Sequence, residues 1–529
     1  MLDLTLPSLL AESSLPFRDG PQAKEWLAQL PLTNTTQAHE ALLEVVDRLN
    51  LASQPAYERL KILEVLREPV AFLQEARGKS FAGHALPLTV PEKRAREHVT
   101  GLWAAMRKGY RYCLAGAMRG DAEAMKYVPL LVVRGLRYAG LQILNYGLAK
   151  QVVDERLWRE LHDWYAFAET HGNTGYEVRD SLYGYKRLST PLASYVRALL
   201  LVAAEPYRLT PAELLACDAL TAWAATKVSL STSQPAAGTV RTVQLGGAEG
   251  LQARGARRED DASLRYIDLT PLGESLQRRI RKLAGGAKLA ELRLPPAFTQ
   301  VDALALLRRL HSAWCEAPAS EFLQRTGTAF CEVVLDLTQL HEHAAGRPFA
   351  QPDTPVELSR LDTERIAALG HASRSANGAD LPKPERWALL GESADTLRIC
   401  RPSAATGQLS LNQLIGVRAV GDKEFQPAVI RSLVDRAGQG IVADVVALPG
   451  RGAPVAFRPL APTDASKSFV PGLTLRDRRE TQPATLLLPS RAFQPGRGVE
   501  LLAPQPHKAR LTTLIERGTN FDWVNCEVE

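Results

Sequence analysis

Between residues 21 and 230 the apolar positions recur at helical spacing. Leu42, Val45, Val46 and Leu49 follow the i, i+3, i+4, i+7 rule of an amphipathic helix. Ile62, Val65 and Leu66 repeat it, and Trp158, Leu161, Tyr165 and Ala168 make a further stripe. Turn signals at Ser53-Gln54-Pro55, Ala85-Leu86-Pro87 and Thr170-His171-Gly172-Asn173 separate these helices. Thr210, followed by Pro211 and then Glu213, has the composition of a capped helix start. No strict period joins the segments, which predicts an array of helical hairpins rather than a regular repeat solenoid.

The texture changes after Ser231. SQPAAG reads as a linker, and Thr239 to Leu245 and Ser263 to Asp268 alternate like strands around the polar loop GARREDD. Helical spacing returns at 271–284 and 299–316. Beyond about 316 the chain is strand-rich. Residues 329–337 read as a strand, 357–369 as a short helix and 371–384 as a Ser/Gly/Pro loop. Strand-like runs follow at 387–390, 397–400, 414–420, 428–435, 440–447, 455–459, 485–488, 499–502 and 509–516. Many short strands with Gly and Pro turns predict a closed barrel or sandwich, and the spacing is too short for βαβ units.

The expected fold class is therefore α+β. A loose leader at 1–20 precedes an all-α helical domain at 21–230. A mixed linker segment follows at 231–317, then a β domain at 318–529. A length of 529 residues suits several domains.

Composition narrows the function. The chain is 45% hydrophobic and 23% charged, which fits globular domains rather than disorder. Its net charge of +6 comes from 64 basic and 58 acidic residues, well short of the basic stripe of a DNA binder. The six cysteines include no CxxC pair, as expected of buried thiols in a reducing cytoplasm. MLDLTLPSLLAESSLPF lacks the basic start of a signal peptide. The longest apolar run, SYVRALLLVAAEPY, is short for a membrane span and carries Arg197. A soluble, cytoplasmic protein is expected.

Catalytic signatures are absent: there is no GxSxG elbow, HExxH helix or Walker loop, and the expectation is no enzyme, no cofactor and no metal site. His341 and His343, two apart on an expected strand, would share a face, but no third ligand is near and a solvated strand end is the better reading. Arg257-Arg258 and the run Arg278 to Lys282 read as solvated faces rather than anion sites.

The strand-rich half carries a resemblance. RTGTAFCEVVLDLTQLHEHAAGRPF from Arg325 looks like a first barrel strand with its helical turn. SRLDTERIAALG, then WALLGESADTLRICRPSAATGQLSLNQLIGVR, ends in the LIGVR strand, and AVIRSLVDRAGQGIVADVVALPGRGAPVAFR looks like the paired strands after it. In the helical half, KEWLAQLPLTNTTQAHEALLEVVDRLN and ERLKILEVLREPVAFL show a matching texture. Together these resemble the PilZ-like c-di-GMP receptor family of β- and γ-proteobacteria, found beside type IV pilus and surface-sensing systems. The resemblance implies a C-terminal PilZ-like antiparallel β-barrel, c-di-GMP as ligand, and a protein partner held by the helical region.

Such receptors bind through RxxxR before the first strand and [D/N]xSxxG on the next strands. Forked guanidiniums meet guanine edges and phosphates, and the Ser hydroxyl adds a bond. Here the first element falls on Glu321-Phe322-Leu323-Gln324-Arg325, and Arg325 is its match. The second falls on Gly391-Glu392-Ser393-Ala394-Asp395-Thr396, and Ser393 is its match. Glu321, Gly391 and Thr396 depart from the pattern. Each missing charge-assisted bond costs about 1.5–3 kcal/mol. Arg360, Arg365 and Arg374 are candidate substitutes. The resemblance implies a c-di-GMP effector or a degenerate relative. The alternative is a helical adaptor or scaffold that binds no nucleotide.

Overall fold

A computed structural model describes the chain except residues 1, 6–14, 236–237, 252–260, 293, 317–322, 325–328, 352–380, 394, 437, 461–467, 477–483, 504 and 529. It forms two compact units, one of residues 1–84 and 88–319, the other of 85–87 and 320–529.

The first unit is built from helices α1 (Gly20–Ala28), α2 (Thr35–Leu51), α3 (Ala56–Gly78), α4 (Val90–Met118), α5 (Ala122–Met125), α6 (Val128–Leu148), α7 (Glu155–Thr170), α8 (Pro191–Ala203) and α9 (Pro211–Ala224). The short strands β1 (Val178–Arg179) and β2 (Leu188–Ser189) form a hairpin between α7 and α8. Helix α6 is mostly apolar, with Arg134 and Arg137 as its charged residues, and is buried along almost its whole length. It packs against α4, α7, α8 and α9. Gly135 is what admits α7: a Cβ there would lie 2.5 Å from the Trp164 ring. Helix α9 starts with the capping box expected from Thr210 and Glu213, each satisfying a backbone N–H of the other's end. A small antiparallel sheet of β3 (Ser229–Ser231), β4 (Val240–Gln244) and β5 (Leu264–Asp268), with helices α10 (Thr270–Ala284) and α11 (Gln300–Cys315), completes this unit.

The second unit is β-rich. Its strands are β6 (Leu323–Gln324), β7 (Phe330–Val334), β8 (Glu385–Glu392), β9 (Thr396–Arg401), β10 (Leu414–Ala419), β11 (Gln426–Arg436), β12 (Gly440–Ala447), β13 (Arg451–Pro459), β14 (Val470–Arg476), β15 (Thr485–Pro489), β16 (Gly498–Ala503), β17 (Gln505–Arg517) and β18 (Phe521–Val528). Helix α12 (Leu337–Ala345) follows β7. The strand pattern suggested one barrel over 318–529, but the strands close into two rings. Strands β7, β10, β11, β12, β9 and β8 form the first, because β8 pairs with both β9 and β7. Strands β13, β14, β15, β18, β17 and β16 form the second. All these pairings are antiparallel. The α+β order, helices first and barrels after, is the one expected.

The two rings share a core under α12. Leu337 and Leu340 of the helix pack with Leu414 and Val429 of the first ring and Leu473, Leu487 and Phe521 of the second. Polar bonds pin the same seam: Asn520 exchanges two bonds with the Leu414 backbone, at 2.7 and 3.0 Å, and Arg431 donates to Glu516 at 2.7 Å. The second ring has a core of its own, with Val455, Phe457, Leu488 and Val524 fully or almost fully buried.

His341 and His343 depart from the expected strand end. These residues lie on α12, not on a strand end, because Asp336 caps a helix by accepting from Gln339 N at 2.8 Å. Two positions apart on a helix, side chains diverge. His341 is buried and bonds Gly472 O at 2.9 Å, whereas His343 bonds Pro382 O at 2.9 Å. The expected helix at 357–369 and the substitute arginines Arg360, Arg365 and Arg374 lie outside the described residues.

Candidate functional site

The first barrel has a sealed end and an open one. Cys331, Val333, Trp387, Leu389, Ile399, Val417 and Ala419 share the inner face by strand register. Toward the sealed end the same face carries Arg401, 1% exposed, and Glu385. Arg401 donates Nε and Nη2 to the two Glu385 oxygens at 2.8 and 2.7 Å and Nη1 to Gly407 O at 2.8 Å. Trp387 Nε1 donates to the same carboxylate at 2.8 Å. A forked, fully bonded pair of this kind is what lets a charge sit inside a barrel.

The other end opens into a cleft of about 710 Å³. Ala329, Leu389, Glu392, Leu397 and Ala419 form its rim on the first barrel; Leu340 and His343 of α12 and Arg451 and Leu473 of the second barrel form the opposite wall. Lining cations Arg418, Lys423 and Arg451 face carboxylates Glu392, Asp422 and Glu424. Arg418 is already held by Glu332 at 2.6 Å and lies 4.3 Å from the Phe425 ring. The described lining is thus close to balanced in charge and offers an anion little net attraction by itself.

Ser393 directly follows Glu392 of this rim at the end of β8, and is not itself among the residues that line the cleft. Its N–H donates to Thr396 O at 2.8 Å, which closes the tight turn into β9. Its hydroxyl lies 3.5 Å from the same carbonyl, at the outer limit of a hydrogen bond. Thr396, where the motif has glycine, begins β9 in register with Val446. The left-handed non-glycine residues lie elsewhere among the described residues, so this turn does not need glycine at that position.

Arg325 and Glu321 are outside the described residues. The backbone just before Arg325 is placed, however. Strand β6 adds to the rim end of β8, with Leu323 opposite Glu392 and Gln324 opposite Gly391. Leu323 and Gln324 of the first motif segment, far apart in sequence from the second, therefore lie beside Glu392 and Gly391, in an antiparallel pairing that runs from Leu323 to Gln324 away from Ser393.

A second polar cluster lies in the helical unit, and the sequence reading missed it. Arg67, Arg134, Arg137 and Arg197 are 3–5% exposed. Arg134 forks onto Glu64 at 2.9 and 3.0 Å, and Arg67 reaches Asp180 at 2.7 Å. Arg137 forks onto Asp218 at 3.0 and 2.7 Å. Burial opposes ionisation of Glu64, Asp180 and Asp218, yet the guanidiniums outweigh it and hold all three below the ordinary carboxylate range. A visible hint was Arg197, which interrupts an otherwise apolar run. Of the basic run on α10, Arg279 is not simply solvated: it lies 3.7 Å over the Trp223 ring and donates to Leu292 O at 2.7 Å.

Comparison with known proteins gives a consistent answer. Residues 21–236 match the family model described as the cyclic-di-GMP receptor FimW N-terminal domain, which covers the helical bundle. Residues 455–525 match the FimW C-terminal beta-barrel domain, which falls on the second ring. The first ring lies between the two matched ranges. The cyclic-di-GMP receptor FimW of Pseudomonas aeruginosa is 22% identical over 94% of this chain and 89% of its own length. No solved structure matches. With helices and terminal barrel matched in their observed order, the chain is FimW-like in both its helical bundle and its second ring.

Proposed function

We propose that this protein is a c-di-GMP effector, not an enzyme, and that the dinucleotide binds at the open mouth of the first barrel. Arg325 supplies a forked guanidinium and Ser393 a hydroxyl. The observation that carries the site is the β6–β8 pairing, which sets the segment leading to Arg325 against the strand end leading to Ser393. The name of the Pseudomonas aeruginosa relative supports the ligand. The output in this reading is a protein contact made by the helical unit in the cytoplasm, in type IV pilus or surface behaviour. That step rests on the PilZ-like resemblance alone. Of the described residues, no helix is long and apolar enough to cross a membrane.

The departures at Glu321, Gly391 and Thr396 and the balanced cleft charge set the affinity expected, which is micromolar rather than nanomolar. Calorimetric titration of the full chain with c-di-GMP tests it. Saturable heat is expected, weakened about 10- to 100-fold by Arg325→Ala, the loss of one charge-assisted contact. Ser393→Ala should weaken it by less. Absence of heat at high ligand concentration leaves the adaptor that binds no nucleotide.

A further inference from the structure

Arg137 and Arg197 lie on the wall of a cavity of about 340 Å³ in the helical unit. Both are 5% exposed, and they share one carboxylate. Asp218 takes the fork of Arg137, which leaves Arg197 Nη2 at 3.8 Å from it. Arg197 Nη1 is solvated instead by the Tyr183 carbonyl, at 2.5 Å. The neighbouring arginines offer no relief, since Arg67 and Arg134 are matched by Glu64 and Asp180. Among the described residues, Arg197 is thus the excess cation of a cluster of four buried arginines and three carboxylates. Burial, reinforced by Arg137, depresses its pKa to about 10. A buried charge without its own counter-ion is costly unless something else supplies one.

The rest of the cavity is suited to a flat ring. Trp223 of α9 lies beneath the Arg279 guanidinium at 3.7 Å, and Tyr183 lies beneath Arg137 at 4.8 Å. Tyr185, from the β1–β2 hairpin, lines the same space. Aromatic and guanidinium planes together form the platform on which nucleobases stack. Ligand cavities run from about 300 to 1,000 Å³. This one is at the small end, which suits one nucleotide and is cramped for a cyclic dinucleotide.

We propose that this cavity is a binding site for a nucleoside monophosphate, its phosphate balancing Arg197 and its base stacked on the Arg279 guanidinium, which itself lies on the buried Trp223 ring. The site is independent of the barrel mouth and of the c-di-GMP reading.

The test is calorimetric titration of the full chain with GMP, with guanosine and inorganic phosphate as partial probes. GMP should bind at least about tenfold more tightly than either fragment, since only the whole ligand meets both the platform and the cation. Arg279→Ala, at a half-exposed position on α10, should lower GMP affinity by about tenfold or more and leave c-di-GMP heats unchanged. Arg325→Ala should do the reverse. Tyr185→Ala is the second variant, and thermal unfolding of both confirms that they fold. The proposal is overturned by absence of GMP heat at millimolar concentration, by equal GMP affinity in both cavity variants and the parent, or by phosphate binding as tightly as GMP.

Discussion

Arg401 is the residue on which the sealed end of the first barrel depends. Its fork on Glu385 and its bond to Gly407 O satisfy a guanidinium that is 1% exposed. Arg401→Met keeps much of the volume but strands a carboxylate that is 24% exposed. The partial exposure puts the cost toward the low end of the range for a broken buried pair, about 3 kcal/mol. Urea unfolding of the second unit should show it as a lower midpoint, and an unchanged midpoint would contradict the role given to this pair. Asp218 makes a pH prediction. Its carboxyl is depressed, so the stability it contributes is complete above its unfolded pKa of about 4 and is lost as pH falls through the lower folded value. Circular dichroism should show the helical unit losing stability below about pH 4, and Asp218→Asn should flatten that dependence while lowering stability at neutral pH. Neither residue was legible in sequence. A buried arginine looks like any other until the fold shows which carboxylate meets it.

At the scale of elements, helix α6 shows how a small residue sets packing. Gly135→Ala gains about 1 kcal/mol of helix propensity. It also drives a methyl to within 2.5 Å of the Trp164 ring, and overpacking of that kind costs about 1–3 kcal/mol. The clash should win, with a lower melting temperature; a rise would mean that α7 shifts freely. The helices were readable because their stripes are long and their caps are marked, as with Thr210 and Glu213. Most strands were readable from alternation. Strand β14 was missed because VPGLTLR opens with Pro and Gly, which ordinarily signal a turn. Strand β18 was missed because FDWVNCEV scatters its polar residues. The helix that carries His341 and His343 leaves little trace in the sequence because its nine residues are too few for a periodic signal to stand out.

For the whole molecule, the sequence carried the α+β order and the change of texture near residue 316, but not the division of the strands into two rings. That division depends on which strand returns to β8 and to β13, a matter of register that alternation alone does not encode. The site was legible in part. The sequence put Ser393 between strand-like runs at 387–390 and 397–400, in the structure it directly follows β8, and the pairing of β6 with β8 is long-range and appears only in the fold. The central claim is that c-di-GMP binds at this mouth, and amide hydrogen exchange of the full chain with and without the dinucleotide tests it most directly. Slower exchange across residues 389–397, lost in Arg325→Ala, is the result predicted. Exchange there that is indifferent to c-di-GMP, or slowing confined to the helical unit, would contradict it.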